Sequence, residues 1–548
     1  MLDNPLQCRK VYWCPTCEVP LLTIVGEEPR CDICKSKEGK PRYAASDMRP
    51  VFGPERELLA SKLHIKIPKN IFYNRRRIIY RGQTLFFFTL RDNEIVLRKE
   101  NPTNYVRRED LEGNGYKEYL KKTVRANTTV LGRLEQEAID FIQAIAERYP
   151  GRRHFVSFSG GKDSTVVAIL VQEALGDASL FFADTTLEHE ETIQYIKSFA
   201  EERSLSVETR ASQNDFFDMS GELDPPSRIM RWCCSVFKAY PINLFWGSLD
   251  DYVLGFDGIR RAESRSRNGY PRIFQSEKFI RQVAVRPILH WSSLAIWLYI
   301  YYKEVPFNPL YERGYARIGC FLCPYNSDYD DLLNSHYQIP RWQQWLDFLE
   351  SYAKEQYKHR SKEWIDAWVH QGYWKQRKPR KQTEYVVSQD SDNDTALLYI
   401  FTNGIPPNLP EFLKPICSIK TTTDGAVFRS CHRESRTRLA GRVGGGVLTI
   451  VVPEKEQPKE FRRLVERQIE KAVNCIGCGG CIGICPHKAI SLDNGSIVID
   501  NEICRHENCR LCVTTDIGGS GYSCIAMSYK ASRRRISRNG TEITTSIL

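Results

Sequence analysis

The chain has 548 residues, 42% hydrophobic and 26% charged, with a formal net charge of +11. That balance excludes a wholly disordered chain, a collagen-like repeat and a small disulfide-stapled domain, and the length suits about three or four domains. The excess of 78 Lys+Arg over 67 Asp+Glu suits an anionic partner or simple solubility. Much of it lies in Lys375–Lys381 and Arg533–Arg538, both read as solvated.

The 19 cysteines are clustered. The N-terminus has no basic and apolar leader pattern, and no apolar run reaches the roughly 18–20 residues that span a bilayer. Clustered C-x-x-C spacing then points to metal binding in a reducing cytoplasm, with no membrane association, rather than to a secreted disulfide framework.

In chain order, residues 1–45 carry Cys14-x2-Cys17-x13-Cys31-x2-Cys34, the spacing of a zinc ribbon with a slightly short gap. Zinc there would fold a segment with few core formers, as a structural or a recognition element, with Cys8 a bystander. Residues 46–112 read as a small β-rich module, with strands at Ile78–Tyr80, Leu85–Leu90 and Glu94–Arg98 between turn signals. Residues 113–330 form the central domain. Within it 116–149 is predicted helical, with Leu131, Leu134, Ala138, Ile139, Ile142 and Ile145 at helix spacing. Strand-like His154–Ser159, Ser179–Ala183 and Tyr252–Phe256 then alternate with helix-length stretches, which argues for a parallel sheet. Residues 331–390 are basic, aromatic and predicted helical. Residues 391–465 form a small β or α/β region, 466–528 hold the dense cysteine block, and 529–548 are a basic, disordered tail.

The sharpest motif is Ser157-Phe158-Ser159-Gly160-Gly161-Lys162-Asp163-Ser164, between a strand-like and a helix-like segment. Paired glycines let backbone approach an anion, and a helix start aims N–H groups at it. The spacing is not that of the common ATPase loop. This run resembles the pyrophosphate loop of the PP-loop superfamily, which includes the PAPS reductase family. Phe181-Phe182-Ala183-Asp184-Thr185 with Glu190-Glu191-Thr192, Gly258-Ile259-Arg260-Arg261-Ala262-Glu263-Ser264 with Arg267, and Asn308-Pro309-Leu310-Tyr311 with Gly314-Tyr315 and Ile318-Gly319-Cys320 extend the resemblance over roughly 125–330.

The resemblance implies an α/β fold class: a parallel-sheet, adenine-nucleotide hydrolase-like core with accessory zinc-ribbon, β-rich and ferredoxin-like α+β domains. It implies an adenine nucleotide on Ser157, Ser159, Gly160, Gly161, Lys162, Asp163 and Ser164. Asp184 would position the ribose or a metal such as magnesium. Gly258, Arg260, Arg261 and Arg267 would meet phosphate or sulfate oxygens, which guanidinium forks match; surface pairing of the arginines with Glu263 is the plainer alternative.

Cys233 and Cys234 are adjacent, and Cys320-Phe321-Leu322-Cys323 follows downstream. Adjacent cysteines suit a vicinal disulfide or simple burial, while two pairs suit a four-thiolate site for zinc or an iron–sulfur cluster. The similarity to APS reductases, which carry such pairs, implies one 4Fe–4S cluster on Cys233, Cys234, Cys320 and Cys323, with Lys238 nearby. Near the C-terminus, Cys475-x2-Cys478-x2-Cys481-x3-Cys485-Pro486 is the bacterial ferredoxin run. Two 4Fe–4S clusters are expected, on Cys475, Cys478, Cys481 and Cys524, and on Cys485, Cys504, Cys509 and Cys512. They would carry electrons or serve structure alone.

Two functions compete. The first is an iron–sulfur sulfonucleotide reductase of sulfur metabolism, releasing sulfite and AMP from adenylyl sulfate, or the 3′-phosphorylated equivalents, with electrons from the fused ferredoxin module and a donor protein. The family's reductases carry a nucleophilic cysteine in a Glu-Cys-Gly tail, which this sequence lacks; Cys417 and Cys431 are left over and the nucleophile is unassigned. The second is an ATP-dependent sulfurtransferase that adenylates and thiolates tRNA or DNA. It suits the intact loop, with the zinc ribbon, β module and basic run meeting phosphates. A redox-sensing binding protein is a third, weaker reading.

Overall fold

The computed structural model describes residues 5–36, 39–91, 94–100, 106–112, 115–275, 279, 281–377, 385–389, 396–401, 406–422, 425–430, 440–444, 447–451, 459–505, 509, 512, 534–536 and 542–543. The chain forms two units, each discontinuous in sequence. One comprises Met1–Arg210, Asp251–Gln275 and Gln282–Trp374; the other comprises Ala211–Asp250, Ser276–Arg281 and Lys375–Leu548.

The first unit begins with a three-stranded sheet in which Cys8–Cys14 lies between Val19–Ile24 and Arg42–Ala45, all antiparallel. A second antiparallel sheet runs in the order Arg49–Pro50, Ile71–Asn74, Arg77–Tyr80, Gln83–Arg91, Glu94–Glu100. Its Ile, Phe and Tyr residues alternate inward, so Ile71, Ile78, Tyr80, Phe86 and Phe88 share one core with Leu310, Tyr315 and Leu333. A bidentate pair is buried beside it: Arg49 donates to both Glu55 oxygens at 2.6 Å.

The segment predicted as one helix over 116–149 is two, Tyr116–Ala126 and Thr128–Arg148. Asn127 causes the break. Its buried amide accepts from the Leu22 N–H at 2.6 Å and donates to the Pro20 carbonyl at 2.9 Å, serving an N-terminal strand. Short polar side chains of this kind compete with helical hydrogen bonds.

The central sheet has the order Val207–Ala211, Leu180–Asp184, His154–Ser157, Val253–Phe256, Gln282–Val285, Ile273–Gln275. Leu180–Asp184, His154–Ser157, Val253–Phe256 and Gln282–Val285 are parallel, and Ile273–Gln275 is antiparallel. Helix Lys162–Leu175 buries every residue from Ser164 to Val171, and its Val166–Val171 stretch, apolar on all sides, suits the middle of a layered core. A ladder of aromatic contacts through Trp345, Phe348, Tyr352 and Trp368 holds Pro340–Gln356 against Lys362–His370. That packing explains the aromatic richness of this segment.

In the second unit eight strands form one sheet, ordered Cys417–Thr422, Gly425–Ser430, Ala440–Gly444, Val447–Val451, Ala396–Phe401, Tyr385–Gln389, Arg534–Ile536, Glu542–Ile543. This corrects two expectations. Tyr385–Gln389 is strand, not part of a helical segment ending at 390, and the expected tail supplies two strands. Ladder hydrogen bonds come from backbone, so a basic sequence can join an edge despite its polar composition. The run Lys375–Lys381 is also not simply solvated. Lys375 is 2% and Arg377 6% exposed, and Arg377 donates to Asp224 at 3.2 Å and to the Pro225 carbonyl at 2.9 Å. Among the described residues no helix is long and apolar enough to cross a membrane.

Candidate nucleotide site and cysteine centres

Strand His154–Ser157 ends at the loop, and helix Lys162–Leu175 leaves it. Gly160 sits at φ +69, and a Cβ there would come within 2.9 Å of Thr192 Cγ2, so the turn needs glycine. A Cβ on Gly258 would lie 2.9 Å from the Asp163–Ser164 peptide, which explains why glycine opens that segment. Ser164 Oγ donates to the Gly161 carbonyl at 2.8 Å. The Asn308 amide donates to the Gly160 carbonyl at 3.2 Å, and Tyr311 Oη accepts the Lys162 N–H at 2.9 Å. The distant Asn308–Tyr311 motif is thus a buttress for the loop.

At the centre lies a buried ion triad. Asp163 accepts from Lys162 Nζ at 2.8 Å and from Arg260 Nε at 2.5 Å. Burial alone would raise the Asp163 carboxyl, but Arg260 and Lys162 outweigh it and hold it down to about 2. Burial lowers the Lys162 ammonium, with Asp163 opposing.

Beside the triad a cavity of about 650 Å³ is lined by Ser157, Ser159, Gly161, Asp163 and Ser164 of the loop, by Gly258 and Arg267, and by Tyr311, Arg317 and Ile318. Of the residues expected at the site, Gly160, Lys162, Asp184, Arg260 and Arg261 are not on this lining. Arg260 in particular departs from expectation. It is 2% exposed, and besides Asp163 it donates to the Trp291 carbonyl and Ser293 Oγ, each at 3.3 Å. Its fork is spent inside the protein, so it positions Asp163. Arg261 donates to the Tyr270 carbonyl at 2.9 Å, and Asp184 accepts from the Thr186 N–H at 2.7 Å. Arg317 was missed, because a lone arginine within Gly314–Gly319 has no spacing signal.

The N-terminal quartet converges. The sulfur atoms of Cys14, Cys17, Cys31 and Cys34 lie within 4.8 Å of one another, and Cys14 and Cys34 are 3.6 Å apart. Four thiolates at about 2.3 Å from one tetrahedral ion sit about 3.8 Å apart, so the donor set fits a zinc-sized cation. Each C-x-x-C is followed by a residue at positive φ, Glu18 and Lys35, both at 55°. These turns let two loops face one point. Desolvation and the neighbouring thiols push Cys14 up to about 11, a cost that a bound cation removes.

The C-terminal cysteines are arranged differently. Cys485, Cys504, Cys509 and Cys512 line one small cavity, with Pro415 and Ile499. The Ala489 N–H donates to Cys485 Sγ at 3.3 Å, a bond of the type that tunes iron–sulfur centres. The site's sulfur donors suit an iron–sulfur cluster or a single soft ion alike. Cys475, Cys478 and Cys481 lie on a loop that needs Gly477 at φ +67, where a Cβ would be 2.0 Å from the Gly495 carbonyl. Gly479 packs similarly on Tyr240, and Gly483 on Asn243, so the loop abuts the helical run that also carries Cys233 and Cys234. Cys431 and Cys524 lie outside the described residues.

The internal quartet, expected within one domain, is divided between the units. Cys233 and Cys234 belong to the second and Cys320 and Cys323 to the first, because 211–250 leaves the central sheet and joins the C-terminal half. None of these four is in a disulfide. Cys320 Sγ lies 3.2 Å from Thr185 Oγ1, which donates to Glu188 at 2.7 Å.

The parallel sheet, the glycine loop on its first helix and the adjoining cavity define an α/β nucleotide-binding protein with a PP-loop core. The model of the phosphoadenosine phosphosulfate reductase domain matches residues 153–326. An adenosine 5′-phosphosulfate reductase of Bacillus pumilus is 31% identical over 175 residues, 30% of this chain and 70% of the relative. The chain belongs to the PAPS reductase family. An uncharacterized protein of Methanocaldococcus jannaschii is 36% identical over 261 residues, 47% of this chain and 52% of that protein. A second protein of that organism is covered over 62% of its length, so the chain spans little more than half of these two relatives. Among solved structures, the PAPS reductase of Candida auris in a phosphate complex is 16% identical over 35% of this chain and 93% of that one, with a TM-score of 0.28.

Proposed function

We propose that this protein is a sulfonucleotide reductase acting on adenylyl sulfate or its 3′-phosphorylated form. The observation that carries the reading is the cavity beside Ser157–Ser164, lined by loop hydroxyls, Gly258 and Arg267, in a chain of the PAPS reductase family. In the reaction, the bond between the sulfate sulfur and the bridging oxygen breaks. The oxygen stays on the nucleotide, and two electrons take sulfur from the +6 to the +4 state, giving sulfite and AMP or its 3′-phosphate.

The loop's hydroxyls and helix-start N–H groups hold the α-phosphate. The Lys162–Asp163–Arg260 triad keeps that helix start rigid, and Gly258 lets the second segment approach. The C-terminal cysteines would hold iron–sulfur clusters. Such centres, when bound, supply one-electron transfer. The residues fit cytoplasmic chemistry with a protein electron donor.

Anaerobic turnover with titanium(III)-reduced methyl viologen, a sulfur-free reductant, tests the reading. Sulfite release from adenylyl sulfate without ATP is expected, and Lys162→Ala should weaken nucleotide binding while leaving the metal content intact. Pyrophosphate release from ATP only on addition of tRNA or DNA would overturn it in favour of the sulfurtransferase, which the intact loop suits.

A further inference from the structure

The cations around the cavity are not equivalent. Lys162 and Arg260 are both engaged by Asp163. Arg267, on the lining, is ion-paired with Glu263, also on the lining. Asp257, a third lining carboxylate, faces Arg286 at 4.0 Å. Arg261 spends its fork on the Tyr270 carbonyl and does not reach the lining.

Arg317 differs on each count. It lines the cavity, it is exposed, and it forms no hydrogen bond or ion pair with any described residue. Its segment is nevertheless well fixed. Tyr315, 3% exposed, donates to Asn334 Oδ1 at 2.8 Å, and Arg313 pairs with Glu191 at 2.5 Å. The backbone is therefore anchored by neighbours, and the Arg317 side chain does no structural work.

The loop's N–H groups and hydroxyls meet any α-phosphate, so they do not tell one adenine nucleotide from another. A guanidinium with no carboxylate partner does. It presents paired N–H donors to two oxygens of a tetrahedral anion, and no internal ion pair has to break first. Arg267 would have to leave Glu263 to do the same.

We infer that Arg317 is a specificity-determining residue. It binds the terminal tetrahedral oxyanion that is joined by an anhydride to the α-phosphate, a group that AMP lacks. The inference rests on the nucleotide site proposed above. Sulfate in adenylyl sulfate and phosphate in ATP share this chemistry, and the experiment separates them.

Titration calorimetry with AMP, adenylyl sulfate and ATP, on wild type, Arg317→Ala and Arg317→Lys, is the test. Arg317→Ala should weaken at least one anhydride nucleotide by about 10- to 100-fold, the loss expected for a charge-assisted contact, and leave AMP nearly unchanged. Arg317→Lys should recover part of that loss, since charge returns without the fork. Whether adenylyl sulfate or ATP suffers the loss identifies the oxyanion. An unchanged affinity for both anhydrides, or an equal loss for AMP, would overturn the inference while leaving the nucleotide site standing. A wild-type protein that binds none of the three would instead sink the nucleotide site itself, and the inference with it. Unaltered circular dichroism and metal content check that the variants are folded.

Discussion

Two sets of four cysteines in this chain both contain C-x-x-C spacing, two pairs in one and a single pair in the other, and they differ in space. Cys14, Cys17, Cys31 and Cys34 converge until their sulfurs lie within 4.8 Å of one another. Cys485, Cys504, Cys509 and Cys512 instead line a small cavity with Pro415, Ile490 and Ile499 between them. A single ion needs its ligands to touch one point, whereas a cluster of several atoms needs room between them. The difference also extends to what supports each set. The N-terminal quartet shares a small core with Val19, Leu21 and Ala126. The C-terminal set leans on a hairpin, Ile490–Asp493 with Ser496–Ile499, whose Ile490 and Ile499 line its cavity.

The largest effect should come from Cys14→Ser. It removes one of four ligands from a metal site that would order residues with little core of their own, and structural zinc supplies on the order of 10 kcal/mol in isolated modules. Loss of zinc by elemental analysis, with faster hydrogen exchange in Val19–Ile24, is expected. Retained zinc and unchanged exchange would break the comparison. Cys512→Ser should act on the other set, lowering iron by about four atoms per chain without touching zinc. If iron stays and zinc falls instead, the two assignments are reversed.

An acid titration sharpens the comparison, because the central domain responds for a reason unrelated to thiolates. His189 packs against Tyr315 and Phe321, its Nδ1 is buried without a partner, and burial pushes it down to about 4. The unfolded chain binds that proton first, near 6.5, so the neutral form's contribution is complete above about 6.5 and is lost as pH falls towards 4. The loss amounts to at most about 3 kcal/mol. His189→Phe should flatten that part of the stability curve, as followed by denaturant unfolding at each pH. A curve of unchanged slope would refute the assignment.

Smaller still is Asn127→Ala. It leaves the Leu22 N–H and the Pro20 carbonyl without their partner, at a cost of about 1–3 kcal/mol. Thermal unfolding should show the drop while zinc content holds. If zinc is lost as well, the N-terminal site depends on the helix break as much as on its own turns.

Much of the central domain was legible because its signals are local. A strand, a glycine turn and a helix start are encoded in consecutive residues, and Ser157, Ser159, Gly161, Asp163 and Ser164 line the cavity. The arginine assignments were less legible. Arg260 and Arg317 are both arginines near the glycine loop, and nothing in the sequence says that one is buried against Asp163 while the other lines the cavity without a partner among the described residues. The helix break at Asn127 escaped for a similar reason, since its partners lie 105 and 107 residues away.

Sequence alone determined the kinds of group present: cysteines at metal-ligand spacing, an anion loop on a parallel sheet, and the motifs of a nucleotide-handling class. Those depend on residue type and short spacing, which the chain states directly. Tertiary structure decided how each group is used. It brought one cysteine set to a single point and arranged another along a cavity, assigned Cys233 and Cys234 to one unit and Cys320 and Cys323 to the other, and left Arg317 as a lining cation without a counter-charge among the described residues. The reason is physical: burial and charge pairing are set by groups far apart in the chain, and they determine what a cation or a thiol is free to bind.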